Sequence, residues 1–358
     1  MSCLDGYFGS VPDPRGANAS YRLGDLIVMM VAASLCGASC ATEFSLFARE
    51  RRQALSRLID YDEAPSHDTF SRLLRLIDPE AFARAFAAFA EGFHRARDEI
   101  GDVVAIDGKA LRRAYERGLA ASPPLTVSAF ATQARLCLAA ASPEKVPGDN
   151  EIETAIRVVE LLDLTDKIVT ADALHCHGRM ARAILDRGGD YMLTLKTNRR
   201  HWHLEACQQL DANPAETAES HSAGHGRAEW RQAEVVPADR PLMAGHKAFI
   251  RVTTRRNDEA VHTRLFMAST VPSAERALAL SRAHWMVENA LHWTLDVHLG
   301  EDESRARKDH APANIALINR ITRNILQSID APKIPISHRI KKCAWNDDYL
   351  ITALSHMR

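Results

Sequence analysis

The sequence predicts an α/β protein: a mixed β-sheet with helices on its faces, preceded by a helical region. Three observations predict it. Residues 1 to about 95 carry apolar residues at helical spacing. From residue 101 three strand-like runs come in succession, and then helices and strands alternate, an order that suits a mixed sheet covered on its faces. Residues 199–275 drop the alternation for further strands separated by Gly- and Pro-containing turns, which reads as a β-rich insertion.

The first helical stretch, 21–59, has a basic tail and an apolar run from Leu26 to Ala41. That run is short and diluted by Ser and Gly, whereas a bilayer span needs about 20 apolar residues, so a buried helix is expected. The second, 64–98, starts at Pro65-Ser66. Ser66 suits a helix cap and Asp68 its positive end, and a turn is expected at Asp78-Pro79. Arg72 and Arg75 follow the break where a helix-turn-helix presents its reading face. Solvated arginines on a helical bundle are the equal alternative.

Next come strands over 102–110, 125–132 and 135–142, the last two joined at Gln133-Ala134. A helix is expected over 150–164, a strand over 167–175, a helix over 177–188 and a strand over 190–198. In the insertion, 227–236, 246–257 and 261–270 read as strands. A helix runs from Ser273 towards His298, and a last helix covers 311–329. These give the expected division: a helical domain at 1–98, DNA-associated on the helix-turn-helix reading, a first part of the sheet core at 99–198, the insertion at 199–272, the core's C-terminal helices at 273–330, and a basic tail at 331–358.

The 358-residue chain is 46% hydrophobic and 25% charged, with a net charge of −1. A global basic field is excluded, so any nucleic-acid surface is local. Seven cysteines without a CxxC pair point to reduced core residues in a cytoplasmic protein rather than to a zinc site.

Two aspartates share one local pattern. Val103 to Ile106 run into Asp107, followed by Gly108-Lys109, and a second apolar run ends on Asp172 before Ala173-Leu174-His175. If the two strands are neighbours, the carboxylates meet at one sheet edge. Bare carboxylates repel, and a divalent cation relieves this. The third ligand is sought on 281–302. There His284, Glu288 and His292 form a polar stripe beside the apolar Val287, Leu291 and Leu295. A satisfied Glu–His pair on a partly buried helix is the plain alternative. His175 and His177 around Cys176 suit a positioning role. Glu301, Asp302 and Glu303 suit a solvated, capping or Arg-paired run, and Trp285 and Trp293 suit core or DNA-stacking positions.

The motifs "IDGKALR", "VSAFAT", "NEIE", "VTADALHC", "DYMLTLKTN", "GHGRAEWR" and "HWMVENALHWTLDV…GED" occur in one order. With "FGSVPDPRG", "YRLGDLI" and "PSHDTFSRLL" near the start, the chain resembles the insertion-sequence transposases of the DDE superfamily, in the branch of the H-repeat-associated proteins. The resemblance spans almost the whole chain. It implies a ribonuclease-H-like catalytic core with an Asp-Asp-Glu triad, carried onto Asp107, Asp172 and Glu288. The implied chemistry is cleavage at terminal inverted repeats and strand transfer to target DNA. Two Mg²⁺ ions about 3.5–4 Å apart would serve it, with Mn²⁺ as a substitute. The implied partner is double-stranded DNA, bound by a homodimer. Relatives often carry Tyr, Arg and Lys near the glutamate where Ser281, His284 and Leu295 stand here, so hairpin formation at the DNA end is not implied.

Candidate DNA contacts are Lys109, Arg112, Arg113, Lys196, Asn198, Arg227, His284 and His292. Two other readings share these residues: a domesticated nuclease that cuts without strand transfer, and a non-catalytic DNA-binding protein of transposase descent.

Overall fold

The computed structural model describes residues 7–95, 101–115, 123–144, 148–212, 216–224, 227–257, 260–329 and 334–355. The N-terminal region is helical: α1 (Leu23–Leu35), α2 (Ala41–Glu50), α3 (Arg52–Leu55), α4 (His67–Leu76) and α5 (Pro79–Arg95). α1 takes up the apolar run only as far as Leu35, and eleven of its thirteen residues are buried. It stops before Gly37, whose φ of +96° is one that side-chain-bearing residues rarely adopt. Ser66 caps α4 by accepting from the Thr69 amide. Asp78 accepts from the amides of Glu80 and Ala81 at the start of α5.

The sheet core follows with β1 (Val103–Ala110), β2 (Leu125–Ala131), β3 (Leu136–Ala141), α6 (Glu151–Glu160), β4 (Ile168–Ala171), α7 (Gly178–Asp186) and β5 (Asp190–Leu195). The stretch read as an insertion contributes α8 (Arg200–Ala212), β6 (Glu216–Gly224), β7 (Arg227–Pro237), β8 (Ala248–Arg256) and β9 (His262–Ala268). Neither α8 nor β6 is among the sequence-based expectations. β6, "ETAESHSAG", is a polar edge strand without the apolar alternation that marks a strand in a sequence.

Among the described residues, one nine-stranded sheet runs in the order β3-β2-β1-β4-β5-β9-β8-β7-β6. β1, β4 and β5 are parallel neighbours. The other pairs are antiparallel. The sheet is therefore mixed, with helices over it, as expected, and β6–β9 extend it rather than forming a separate one.

The C-terminal part begins with α9 (Ala274–His284). A π-helical turn (Val287–His292) and α10 (Trp293–Val297) continue it. After a 3₁₀ turn at Glu301–Glu303 come α11 (Ala311–Ser328), α12 (Ile336–Trp345) and α13 (Asp347–Ser355). One core joins α1, α4, α5, the Val287–Leu295 apolar stripe and α11, and reaches Ala105 and Phe130 on the sheet. A second core packs α6, α7 and α8 against the sheet. Arg75 of α4 pairs with Asp309 at 2.6 Å, so it docks against the C-terminal segment instead of standing free on a reading face. Arg72 is exposed. No helix among the described residues is long and apolar enough to cross a membrane.

Candidate active site

The parallel pairing of β1 with β4 decides where the two aspartates go. Ile106 is level with Ala171, the last residue of β4. One step further, Asp107 and Asp172 stand side by side where β4 stops. Asp107 is not at a strand end, as the sequence pattern suggested: β1 runs on to Ala110, with Asp107 opposite Ser128 of β2. It is the neighbouring strand that ends, and that opens the space above Asp107. Asp172 starts the turn out of β4 through Oδ1, which accepts from the Leu174 amide at 3.0 Å. Asn198 and Arg199 donate to the carbonyls of Ala173 and Cys176 and so pin the same loop.

Glu288 comes from the π-helical turn. Its Oε2 accepts from His292 Nδ1 at 3.0 Å, and the same nitrogen lies 3.7 Å from Asp107 Oδ2. His292 is 4% exposed. Asp107, Glu288 and His292 offer ligand atoms within 4.8 Å of one another, a group able to hold a metal ion. Asp172 is not one of that group, but its charge is felt at Asp107. Burial pushes the Asp107 carboxyl up to about 6; His292 opposes this, while Asp172 and Glu288 add to it. Glu288 is held below the usual carboxylate range by the His292 hydrogen bond against its partial burial, with Lys109 and Arg112 adding positive charge. Three acids crowd one end of the sheet, and two of them share an imidazole. Hard oxygen donors in this number suit a divalent cation of the Mg²⁺ type.

Several expected DNA contacts are otherwise engaged. Lys109 is buried, and its Nζ bridges Asp296 at 2.9 Å and Asp302 at 3.1 Å. A phosphate would have to displace two carboxylates, so its role is to tie β1 to the helix of Glu288. His284 packs against β4 with Nδ1 3.2 Å from Thr170 Oγ1, and burial pushes its pKa down to about 4. It is a neutral structural ring. His292 faces the acids instead of solvent. Asn198 spends its amide on the Ala173 carbonyl. Arg112 is exposed beside Asp302 at 3.3 Å, and Arg113 and Lys196 are exposed too. Arg227 opens β7 opposite Gly224; its side chain lies outside the described residues.

Other readings resolve by contact. Glu301 is buried and paired with the equally buried Arg320 at 2.8 Å, so the acidic run is Arg- and Lys-paired. Trp285 and Trp293 are 40% and 53% exposed, which removes the core reading for both. The Arg264 guanidinium sits 4.7 Å from the Trp285 ring centroid. His177 caps α7 through Nδ1, accepting from the Met180 amide, a positioning role.

Sequence reasoning missed Glu151, the first residue of α6. Its Oε1 lies 3.9 Å from His175 Nε2, which is also 3.8 Å from Asp172 Oδ1. Burial, then Asp172 and Asp107, raise its carboxyl. The signal in the sequence is the "NEIE" motif, whose first acid stands directly after the helix-capping Asn150. Asp296 was likewise visible only as a letter of "LDV", whereas Asp302 belongs to the acidic run expected to be Arg-paired, as its 3.3 Å approach to Arg112 shows.

Residues 102–325 match the family described as "Transposase DDE domain", and residues 6–90 match "DDE_Tnp_1-associated". "Putative transposase YncI" of Escherichia coli O157:H7 is 29% identical over 99% of this chain and 95% of its own. "H repeat-associated putative transposase YhhI" of Escherichia coli K12 is 27% identical over 96% of each chain. A Xanthobacter autotrophicus protein described by its place in the dhlA 3' region is 33% identical over 70% of this chain and 88% of its own. A piggyBac transposase synaptic complex with hairpin DNA aligns with 98% of this chain and 80% of that one, at 12% identity and a TM-score of 0.44.

Proposed function

Since the chain belongs to the DDE transposase family, we propose that it is the DNA transposase of an insertion sequence, cutting at terminal inverted repeats and joining the freed end to target DNA. The observation that carries this reading is the meeting of Asp107 and Glu288 around His292, with Asp172 in the next register position. A protein that only binds DNA gains nothing from three acids driven together at a strand end, because their mutual repulsion is a cost.

In this reading Asp107, Asp172 and Glu288 hold Mg²⁺, for which Mn²⁺ substitutes. The chemistry that Mg²⁺ held there would supply is activation of an attacking oxygen and charge neutralisation at the phosphate and the leaving 3′ oxygen. His292 orients Glu288 by its hydrogen bond and, being buried, keeps bulk water from that side of the carboxylate. Lys109, held between Asp296 and Asp302, fixes the distance between β1 and the helix of Glu288. No covalent protein nucleophile takes part. The chain's remaining work is to position DNA, since phosphate contacts set register without reading sequence. Arg112 and Arg113, just beyond Asp107, are assigned to phosphates near the cut, with Lys196 and Arg227 further along. The exposed rings of Trp285 and Trp293 flank Glu288 and are suited to stack on bases freed at the cut end.

We assign residues 1–98 to DNA association, 99–198 and 273–330 to the catalytic core and 199–272 to an insertion; 331–358, expected as a basic tail, instead carries α12 and α13, which bury Cys343 and Leu350 in the first core. The working form is a homodimer holding two DNA ends in the cytoplasm. The test is labelled terminal-repeat DNA incubated with Mg²⁺. Cleavage is expected from the wild type, with a loss of at least about 100-fold in Asp107→Asn while DNA binding persists. Cleavage that is independent of metal, or unchanged in the variant, refutes the reading.

A further inference from the structure

The glycine after Asp107 has a structural purpose that the triad does not use. A Cβ at Gly108 would lie 2.2 Å from Glu151 Oε1 and 2.9 Å from its Cδ. The Glu151 carboxylate therefore rests on β1 in the space that the missing side chain leaves, one residue from Asp107. Its position on α6 is fixed from the other side. Asn150 caps that helix, accepting from the amides of Ile152 and Glu153, so the first-turn residue Glu151 is set at a defined angle.

A second observation is independent of the glycine. His175 is 1% exposed, and neither ring nitrogen has a hydrogen-bond partner among the described residues. Its Nε2 faces Asp172 Oδ1 at 3.8 Å and Glu151 Oε1 at 3.9 Å. A buried imidazole without a partner is costly, and this one is aimed between two carboxylates. The arrangement repeats that of the other histidine, where buried His292 lies between Glu288 and Asp107. The site thus has two halves, each with two acids and one buried histidine.

We propose that Glu151 is a fourth acidic ligand of the cation site, forming with Asp172 the half that faces Asp107 and Glu288, and that Gly108 is the residue that admits it. His175 is a positioning residue for that pair. The proposal rests on the metal-nuclease reading above and deepens it. The triad alone would leave Asp172 as the sole acid of its half; Glu151 gives each half two.

The experiment is a Mn²⁺ titration of the full chain without DNA, with free Mn²⁺ counted by electron paramagnetic resonance. The wild type is expected to take up two ions. In Glu151→Gln one of them should weaken about 10–100-fold, the range found when a metal site loses a supporting group. Gly108→Ala should give the same loss by displacing Glu151. Glu153→Gln, two residues along the helix and paired outward with Arg179, should bind as the wild type does. A melting curve without metal accompanies each variant, and Glu151→Gln should melt no lower than the wild type, because it removes one of the crowded charges. If Glu151→Gln binds two ions with wild-type affinity, the proposal is overturned and the triad stands. If the wild type binds no Mn²⁺, the underlying reading falls and the proposal falls with it.

Discussion

Asp107 is the residue on which the electrostatics converge. Its carboxyl is pushed up to about 6, first by burial. A carboxylate raised in the fold binds protons more tightly there than in the unfolded chain, where its value is 3.8. Between roughly pH 4 and 6 the metal-free protein should therefore lose stability as pH rises, by at most about 3 kcal/mol from this group. Urea unfolding at several pH values checks this, and Asp107→Asn should flatten the slope. The same proton competes with a cation, so Mn²⁺ affinity should be about tenfold weaker at pH 5 than at pH 7. At this scale the two aspartates were legible in the sequence, because an apolar run leading into Asp is visible as letters. His292 was not: periodicity placed it in a polar stripe, but could not say whether that stripe meets solvent or two carboxylates.

At the scale of elements, the site is made where three of them stop or deform. β4 ends level with Ile106, four residues before β1 does, α6 begins over Gly108, and the helix of Glu288 opens into a π-helical turn, a distortion often found at functional sites. Lys109 ties β1 to that helix across 187 positions of sequence, which no local pattern reveals. That is why it looked like a free cation beside the first acid. Lys109→Met should cost about 2 kcal/mol, less than a fully buried pair because Asp296 and Asp302 keep some solvent contact. It should also lower cleavage by loosening Glu288, and arginine should not restore it, since a planar guanidinium does not fit an ammonium's place between two carboxylates. Unfolding curves and single-turnover cleavage measure the two effects. Strand and helix positions in the core were legible within a few residues, whereas polar β6 and α8 lacked the periodicity that would have marked them.

Across the whole molecule, the N-terminal helices and the C-terminal α11 share one core beneath the sheet. α11 is anchored to the sheet by polar contacts as well. Arg320 reaches Ser128 of β2 at 2.9 Å and Glu301 at 2.8 Å, all buried. Glu301→Ala should destabilise the chain by about 3–5 kcal/mol by leaving the arginine unpaired, and the double change Glu301→Leu with Arg320→Met should recover most of it. Denaturant midpoints of the three proteins decide. Sheet class and the helical start could be read in advance from the order of apolar periods. The strand order, and with it the approach of residues 65 and 116 positions apart, is a product of parallel crossovers that sequence texture does not encode.

The most direct measurement is anomalous diffraction from crystals of the full chain soaked in Mn²⁺. The account predicts metal density touching the carboxylates of Asp107, Asp172 and Glu288 together. Density that leaves out any one of these three, or no density at that end of the sheet, contradicts it.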